Sequence, residues 1–463
     1  MSRLLPFLLV LFLLSGCEAP KQAAEPPNIL FIITDDQRFD MLGVERPELK
    51  TPVMDRLART GTRFTHAFVT TPICAASRAS FLTGAVERTH GYTFGTPPLA
   101  EQWTDASYPI LLRQAGYHTG MIGKFGVNTT VAADSLFDVF EPFAAHPYFR
   151  ETEEGTTRHL TDITTDRAIA FLEGTPANRP FVLTLSFNAP HADDADEKQF
   201  IWPEIADRLY RDLEITAPSL SEPEFFEAQP DFLQEASLNR IRWYWRIDTP
   251  EKAERMTKGY YRMISGVDAG IGRVLDTLRD QGLAENTIII LMGDNGYFLG
   301  ERGYAGKWTP HEVSIRVPLI IKDPRLARVA SAVSVPALNI DIAPTLLDLA
   351  GQDIPESMQG RSLRPLMNGD VPSDWRTSFF VEHLFDHPDI PKHEGVRGPR
   401  YKYARFFEQE PVYEMLYDLE ADPEEAVNLA DEVAYQDLLR TLQQSTDSLV
   451  TLYEGRRVPR YAD

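Results

Sequence analysis

Four short runs of uninterrupted apolar residues punctuate the chain: NILFII at 28–33, FVLTLSF at 181–187, TIIILM at 287–292 and VPLII at 317–321. A run of that length without polar alternation is the pattern of a strand buried on both faces of a parallel sheet. Between these runs the apolar positions shift to helical spacing, at 163–173 and over a longer stretch at 260–282. Strands alternating with helices predict an α/β domain whose mostly parallel sheet is sandwiched by helices. From about Ser378 the texture changes to shorter strand-like pieces, GVRGPRYKYARFF and EMLYDL, and then a helix from about Ala434. These predict a smaller C-terminal α+β domain with an antiparallel sheet. The stretch from His191 to Arg246 is acidic and aromatic and lacks strand rhythm, so it reads as a long insertion near the active face.

In an open α/β sheet the ligand sits beyond the carboxyl ends of the strands, so the residues just after each run are informative. The first run leads into Thr34-Asp35-Asp36-Gln37, the second into Asn188-Ala189-Pro190-His191 and the third into Gly293-Asp294-Asn295-Gly296. Any one such pair reads equally as a turn or a helix cap. Three strand ends carrying Asp, Asn and His point instead to a hard-cation site, because oxygen donors suit Ca²⁺ or Mg²⁺ better than a thiol-seeking metal.

The N-terminus changes the picture of where this happens. Residues 1–17 read MSRLLPFLLVLFLLSGC, one Arg and then an apolar run that ends at small residues. That run is too short to cross about 30 Å of hydrocarbon as a permanent span, and it predicts a signal peptide. Leu14-Ser15-Gly16-Cys17 also resembles the bacterial lipobox, in which the cysteine is lipidated and becomes the mature N-terminus. The predicted division is 1–17 lipoprotein signal, 18–27 tether, 28–375 catalytic domain and 376–463 C-terminal subdomain. The expected location is the periplasm or the cell surface of a bacterium, on the membrane through a lipid anchor.

Composition then excludes several classes. A length of 463 residues suggests about three domains' worth of chain. The 43% hydrophobic content supports a core and rules out a mostly disordered polymer. Lys and Arg total 46 against 68 Asp and Glu, a net charge of −22, which argues against a nucleic-acid binder. Two cysteines exclude a disulfide scaffold, and the second, Cys74, sits in the most specific stretch of the chain.

That stretch is Cys74-Ala75-Ala76-Ser77-Arg78-Ala79-Ser80-Phe81-Leu82-Thr83-Gly84. Alone it reads equally as a buried cysteine opening a helix. It resembles the signature of the type I sulfatases of the alkaline phosphatase-like superfamily, Cys-x-Pro/Ala-x-Arg followed by Leu-Thr-Gly. NILFIITDDQR, GYHTGMIGK, SFNAPH, GDNGYFLGERGYAGKW, SIRVPLII and YDLEADPEEAVNLA resemble family segments in the family's order.

The resemblance implies a mechanism. A maturation enzyme oxidises the cysteine to formylglycine, an aldehyde that hydrates to a geminal diol. One hydroxyl attacks sulfur, and loss of the second hydroxyl's proton discharges the covalent sulfate. It further implies that Asp35, Asp36, Asp294 and Asn295 bind one divalent cation, usually Ca²⁺, with modified Cys74 also contacting it. Asp294 accepts the nucleophile's proton, Arg78 holds the diol and Lys124 binds sulfate oxygens. His191 and Lys307 contact the bridging oxygen, one of them protonating the leaving alcohol.

The chain departs from the pattern twice: Ala76 stands where proline is usual, and Gly126 stands where the family has the histidine of Gly-Lys-Trp-His. His90 and His311 are the residues expected to fill the latter role in the pocket, and His118 is expected to be structural. Export and resemblance together predict sulfated carbohydrates as substrate. The insertion's aromatics, Trp202, Tyr210, Trp243 and Trp245, either stack on sugar rings or pack the insertion itself. The alternatives are an arylsulfatase of small esters, a phosphonate or phosphate ester hydrolase of the same superfamily, and a non-catalytic lipoprotein that captures sulfated glycans.

Overall fold

The structure is a computed structural model that describes residues 25–152, 155–235, 237–326 and 332–457. Cys17, the lipobox and most of the predicted tether lie outside the described residues.

The large sheet takes strands β1 (Asn28–Thr34), β2 (Thr62–Phe64), β3 (His118–Gly123), β4 (Val139–Pro142), β5 (Phe181–Ser186), β6 (Thr287–Gly293), β7 (Leu319–Lys322) and β8 (Ala332–Val333). Their spatial order is β8-β2-β7-β6-β1-β5-β3-β4. β1 lies at the centre, parallel to both β5 and β6. The continuous apolar run of β1 follows from burial on both faces. Ile29, Phe31 and Ile33 enter one core cluster, while Leu30 and Ile32 enter the other. The period-2 geometry of a strand sends alternate side chains to opposite faces, so a central strand has no polar face to show.

The helices that matter here are α1 (Pro52–Thr60), α2 (Cys74–Thr83), α3 (Leu160–Gly174), α4 (Leu238–Arg246), α5 (Pro250–Asp280) and α6 (Gln436–Gly455). α2 covers one face, where Phe81 meets Phe31 edge-on with ring centres 5.4 Å apart. α3 and α5 contribute to the other face through residues such as Leu160, Phe171, Met256 and Ile264. α5 begins earlier than the apolar spacing predicts because Thr249 caps it, its side chain accepting the Lys252 N–H at 3.3 Å, and Pro250 occupies the first turn.

One strand differs in sense. The run at 317–321 becomes β7, antiparallel to β6. The segment between them returns along the carboxyl end of the sheet, with no helix long enough to cross back over its face, and a parallel pairing needs such a crossover. The C-terminal sheet is sequential and antiparallel, with strands Phe379–His383, His393–Arg397, Tyr401–Phe406 and Tyr413–Asp418, and α6 packs beside it. The insertion from His191 to Arg246 has no strand among its described residues, only a 3₁₀ turn and short helices ending in α4.

Candidate active site

The carboxyl ends of the central strands bring together most of the candidate site residues. Asp35 and Asp36 follow β1, Lys124 follows β3, and Asp294 and Asn295 follow β6. Cys74 is the first residue of the ten-residue α2, preceded by Ile73 in extended conformation. The first N–H groups of a helix have no partner within it and carry its positive end, so an anion at this position is favoured. The helix terminates on Gly84 with φ of 66°, a left-handed stop that glycine adopts at little cost.

The carboxylates are close-set. Ligand atoms of Asp35, Cys74 and Asp294 lie within 4.8 Å of one another, as do those of Asp35, Asp36 and His191. The Asp36 N–H donates to Asp294 Oδ1 at 3.2 Å, and Asn295 Nδ2 donates to Asp36 Oδ1 at 2.6 Å. Four cationic or imidazole groups surround them. Arg78 Nε donates to Asp294 Oδ2 at 2.7 Å, and its Nη1 donates to Ser186 Oγ at 2.7 Å and to the Lys124 carbonyl. Lys124 pairs with Asp35, and its Nζ is 3.8 Å from Cys74 Sγ. Lys307 Nζ donates to Asp36 Oδ1 at 2.5 Å and Asn295 Oδ1 at 3.2 Å. His191 Nε2 stands 3.7 Å from Asp36 Oδ2.

These groups set one another's protonation. Burial alone would raise Asp35, but Lys124, then His191, Lys307 and Arg78, hold its carboxyl well below the usual range. Asp294 goes the other way: burial, and next the charge of Asp35, push it up to about 6. Burial would lower Lys307, yet Asp36 and the neighbouring anions hold its ammonium protonated above its ordinary range. Burial pushes His191 down to about 4, so its imidazole is neutral at neutral pH.

The donor set fits a hard divalent cation. Asp35, Asp36, Asp294 and Asn295 offer oxygen, and Asp35 Oδ1 is buried without a hydrogen-bond partner. An orphaned buried carboxylate oxygen among other oxygens is what an oxygen-seeking cation satisfies.

Two expectations are corrected. His90 and His311 make no hydrogen bond or ion pair with this cluster. His90 spends its ring within the domain, Nε2 lying 3.2 Å from Ser80 Oγ and Nδ1 accepting the Tyr92 N–H at 3.1 Å. His311 Nδ1 lies 2.9 Å from Thr309 Oγ1, and the ring sits between Phe298 and Tyr417 at a separate polar cavity beside Arg38, Glu301 and Glu312. The absence of histidine at position 126 has its own physical reason. Gly126 has φ of 73°, and a Cβ there would stand 3.0 Å from Arg78 Cδ. His118 stacks on Phe171 with ring centres 5.0 Å apart, its Nδ1 3.4 Å from Asp138.

Three of the insertion's aromatics pack against the protein rather than line the cluster, while Trp245 is 41% exposed. Trp202 lies under Arg262 at 4.6 Å, Tyr210 is buried with its hydroxyl 2.6 Å from Ser265 Oγ, and Trp243 lies against Arg240. Sequence reading missed Ser186, which anchors Arg78, and Trp308, whose ring lies 4.6 Å from the Arg242 guanidinium. It also missed His146, whose ring centre is 5.8 Å from that of His191. A polar residue ending an otherwise apolar strand was the only available signal for Ser186.

A helix start bearing a thiol is thus set among carboxylates, two lysines, an arginine and a histidine, groups able to hold a cation and an anionic ester together. Residues 27–352 match the Sulfatase family, and residues 300–451 match the C-terminal region of N-sulphoglucosamine sulphohydrolase. The N-acetylglucosamine-6-O-sulfatase of Bacteroides thetaiotaomicron is 30% identical over 95% of this chain and 89% of its own. The arylsulfatase of Clostridium perfringens is 28% identical, covering 93% of this chain and 95% of its own. A chain solved in complex with its substrate D-glucosamine-2-N,6-O-disulfate superposes with a TM-score of 0.78 at 26% identity, over 93% of this chain and 99% of that one. The phosphonate monoester hydrolase of Silicibacter pomeroyi shares the fold, with a TM-score of 0.78 at 24% identity over 92% of this chain and 96% of its own.

The chain belongs to the sulfatase family, within the alkaline phosphatase-like superfamily. It is a sulfatase, an enzyme that hydrolyses sulfate monoesters.

Proposed function

We propose that this sulfatase removes sulfate from carbohydrates outside the cytoplasm, using formylglycine made from Cys74 and one bound Ca²⁺. The observation that carries the reading is the placement of Cys74: first residue of α2, within ligand distance of Asp35 and Asp294, with an ammonium 3.8 Å away. The carbohydrate part is supported by the similarity to a protein named for N-acetylglucosamine-6-O-sulfate and to one solved with a sulfated glucosamine.

Asp35, Asp36, Asp294 and Asn295 are the residues that would hold the cation, which lowers the pKa of a hydroxyl and polarises sulfate oxygens when bound. Formylglycine supplies, once hydrated, the nucleophilic oxygen that a thiol does not. Arg78 is fixed from three sides by Asp294, Ser186 and the Lys124 carbonyl, so its guanidinium orients the residue at position 74 without rearranging. Asp294, within ligand distance of Cys74 and held by Arg78 Nε at 2.7 Å, takes the nucleophile's proton. Lys124 and Lys307 remain charged and bind the sulfate oxygens. Lys307 and His191 flank opposite oxygens of Asp36, and there they receive the bridging oxygen. Lys307, whose ammonium stays protonated, gives up the proton to the departing alcohol, because the neutral His191 spends its one ring proton at Nδ1 on the Ala192 carbonyl at 2.6 Å. The balance is one sulfate monoester and one water giving alcohol, sulfate and a proton.

Arg78, Lys124 and Lys307 cancel Asp35, Asp36 and Asp294 in formal charge. Against the cation's two positive charges, one ionised hydroxyl at position 74 would leave the site with a net charge of about +1, which matches a sulfate monoester of one negative charge better than a phosphate monoester of nearly two. Export and membrane attachment rest on the residues 1–17 and on Cys17.

Peptide mass analysis of the segment containing Cys74, from a maturation-competent host, should show formylglycine. An unmodified thiol in enzyme that still turns over sulfate esters sinks the nucleophile assignment. Sulfated mono- and oligosaccharides assayed beside aryl sulfate and aryl phosphate test the rest. Faster phosphate turnover overturns the preference for sulfate, and activity on aryl sulfates alone removes the carbohydrate. Replacing Cys17 should release the protein from the membrane fraction.

A further inference from the structure

Beside His191 the cleft carries a second imidazole with no part in the proposed chemistry. His146 lies in the loop between β4 and the strand Phe149–Glu151, and its side chain is 32% exposed. Its ring centre is 5.8 Å from that of His191, with the planes tilted by 48°. The loop is tied to the one that carries His191. Asn188 Nδ2 donates to the Ala145 carbonyl at 2.9 Å and to the Tyr148 hydroxyl at 2.7 Å, and that buried hydroxyl donates to the His191 carbonyl at 2.5 Å. The two imidazoles are thus held as a unit.

His146 Nδ1 lies 3.3 Å from Oδ2 of the buried Asp193. Asp193 is itself fixed: Oδ1 accepts the Ala195 N–H at 3.1 Å, and its own N–H donates to the Gln199 carbonyl at 2.7 Å. Nδ1 makes no aligned hydrogen bond there, but the carboxylate's charge beside it favours the ring proton on Nδ1 and leaves Nε2 for a ligand. Going outward from Asp36, the order is His191, 3.7 Å away and nearly buried, and then His146, partly exposed. His146 is therefore one residue further out than the group assigned to the bridging oxygen, on the side where the alcohol portion of the ester must lie.

We infer that His146, oriented by Asp193, is a substrate-binding residue that holds a ring hydroxyl of the sulfated sugar through Nε2. This rests on the proposed carbohydrate substrate. A hydroxyl suits the position because it can both give and accept a hydrogen bond, whereas an aryl leaving group offers neither. The contact is present before and during the reaction, so its loss raises KM more than it lowers kcat.

The test compares wild type, His146→Ala, His146→Gln and Asp193→Asn on N-acetylglucosamine-6-sulfate, its singly deoxygenated analogues and 4-nitrophenyl sulfate. Losing a hydrogen bond of this kind should lower kcat/KM on the sugar roughly 10- to 100-fold, chiefly through KM. On the aryl ester the loss should stay below about threefold, and His146→Gln should recover part of the sugar activity. One deoxy analogue should show the same deficit with wild type and no further loss with His146→Ala. If wild type desulfates the sugar but His146→Ala loses both substrates alike, or neither, the inference falls and the carbohydrate reading stands. If wild type acts on aryl esters only, both fall together.

Discussion

Placing a side chain at position 126 perturbs the site through the backbone and through Arg78 at once. Gly126 adopts φ of 73°, and an L-residue held in the left-handed region costs roughly 1–2 kcal/mol. The added Cβ would stand 3.0 Å from Arg78 Cδ and 3.8 Å from Lys124 Cε, closer to the first than side chains ordinarily pack. The Arg78 stem must yield by a few tenths of an ångström, while its head is pinned by the 2.7 Å bonds to Asp294 and Ser186.

Gly126→Ala should therefore lower the unfolding free energy by about 1–2 kcal/mol, a factor of about 5–30 in the folded ratio. A misplacement of one ångström in a catalytic group costs about 10²-fold, so kcat/KM should fall roughly tenfold. Gly126→His, which installs the residue common in the family, should do worse on both counts. Urea unfolding followed by tryptophan fluorescence, with kcat/KM measured on the same preparations, gives both numbers. Wild-type stability and activity in Gly126→Ala would refute the reasoning, and a gain in activity with histidine would show that the pocket has room for it.

The same geometry sets three further outcomes. In the cation-free protein Asp294 is raised to about 6 by burial, and a proton there occupies an oxygen the cation needs. Calorimetric Ca²⁺ affinity should fall about tenfold per pH unit below about 6; because the folded pKa lies above the unfolded one, the cation-free protein should also lose stability as pH rises from about 4 to about 6. A flat affinity from pH 5 to 8 contradicts the assignment. Lys307→Ala should lower kcat on sugar sulfates by about 10²–10⁴-fold and on 4-nitrophenyl sulfate by less, since a good leaving group does not need the proton; equal losses argue against the acid role. Asp268 on α5 accepts the Val53 and Met54 N–H groups at 3.1 and 2.7 Å, and so caps α1, whose own Thr51 makes no side-chain cap bond. Asp268→Ala should cost about 1–3 kcal/mol in chemical denaturation while leaving kcat unchanged.

The large domain was legible because its central strands are buried on both faces, and double burial imposes an unbroken apolar run on each of them. Asp35, Asp36, Asp294 and Asn295 were legible for a related reason: they are the first carboxylate and amide residues after those runs, so the end of a strand marks where chemistry starts. Cys74 and Arg78 announced themselves through a spacing that puts both on one helix four residues apart. The sense of β7 was not readable, because an apolar run is the same parallel or antiparallel; the direction depends on whether the connection crosses the sheet, which here it does not.

Histidines divided least well by sequence, since burial and partners decide what an imidazole does. His90 and His311 carry no mark that distinguishes them from a ligand, yet each is held away from the cluster, by Ser80 and Tyr92 for one and by Thr309 with two aromatic rings for the other. His146 stands 45 residues before His191 in the chain, and only the Tyr148 and Asn188 bonds bring the two rings together. The types of group the reaction needs are written at strand ends and in one helical motif. Which lone side chains join them is set by loop-to-loop hydrogen bonds between segments far apart in sequence, and those exist only once the chain has folded.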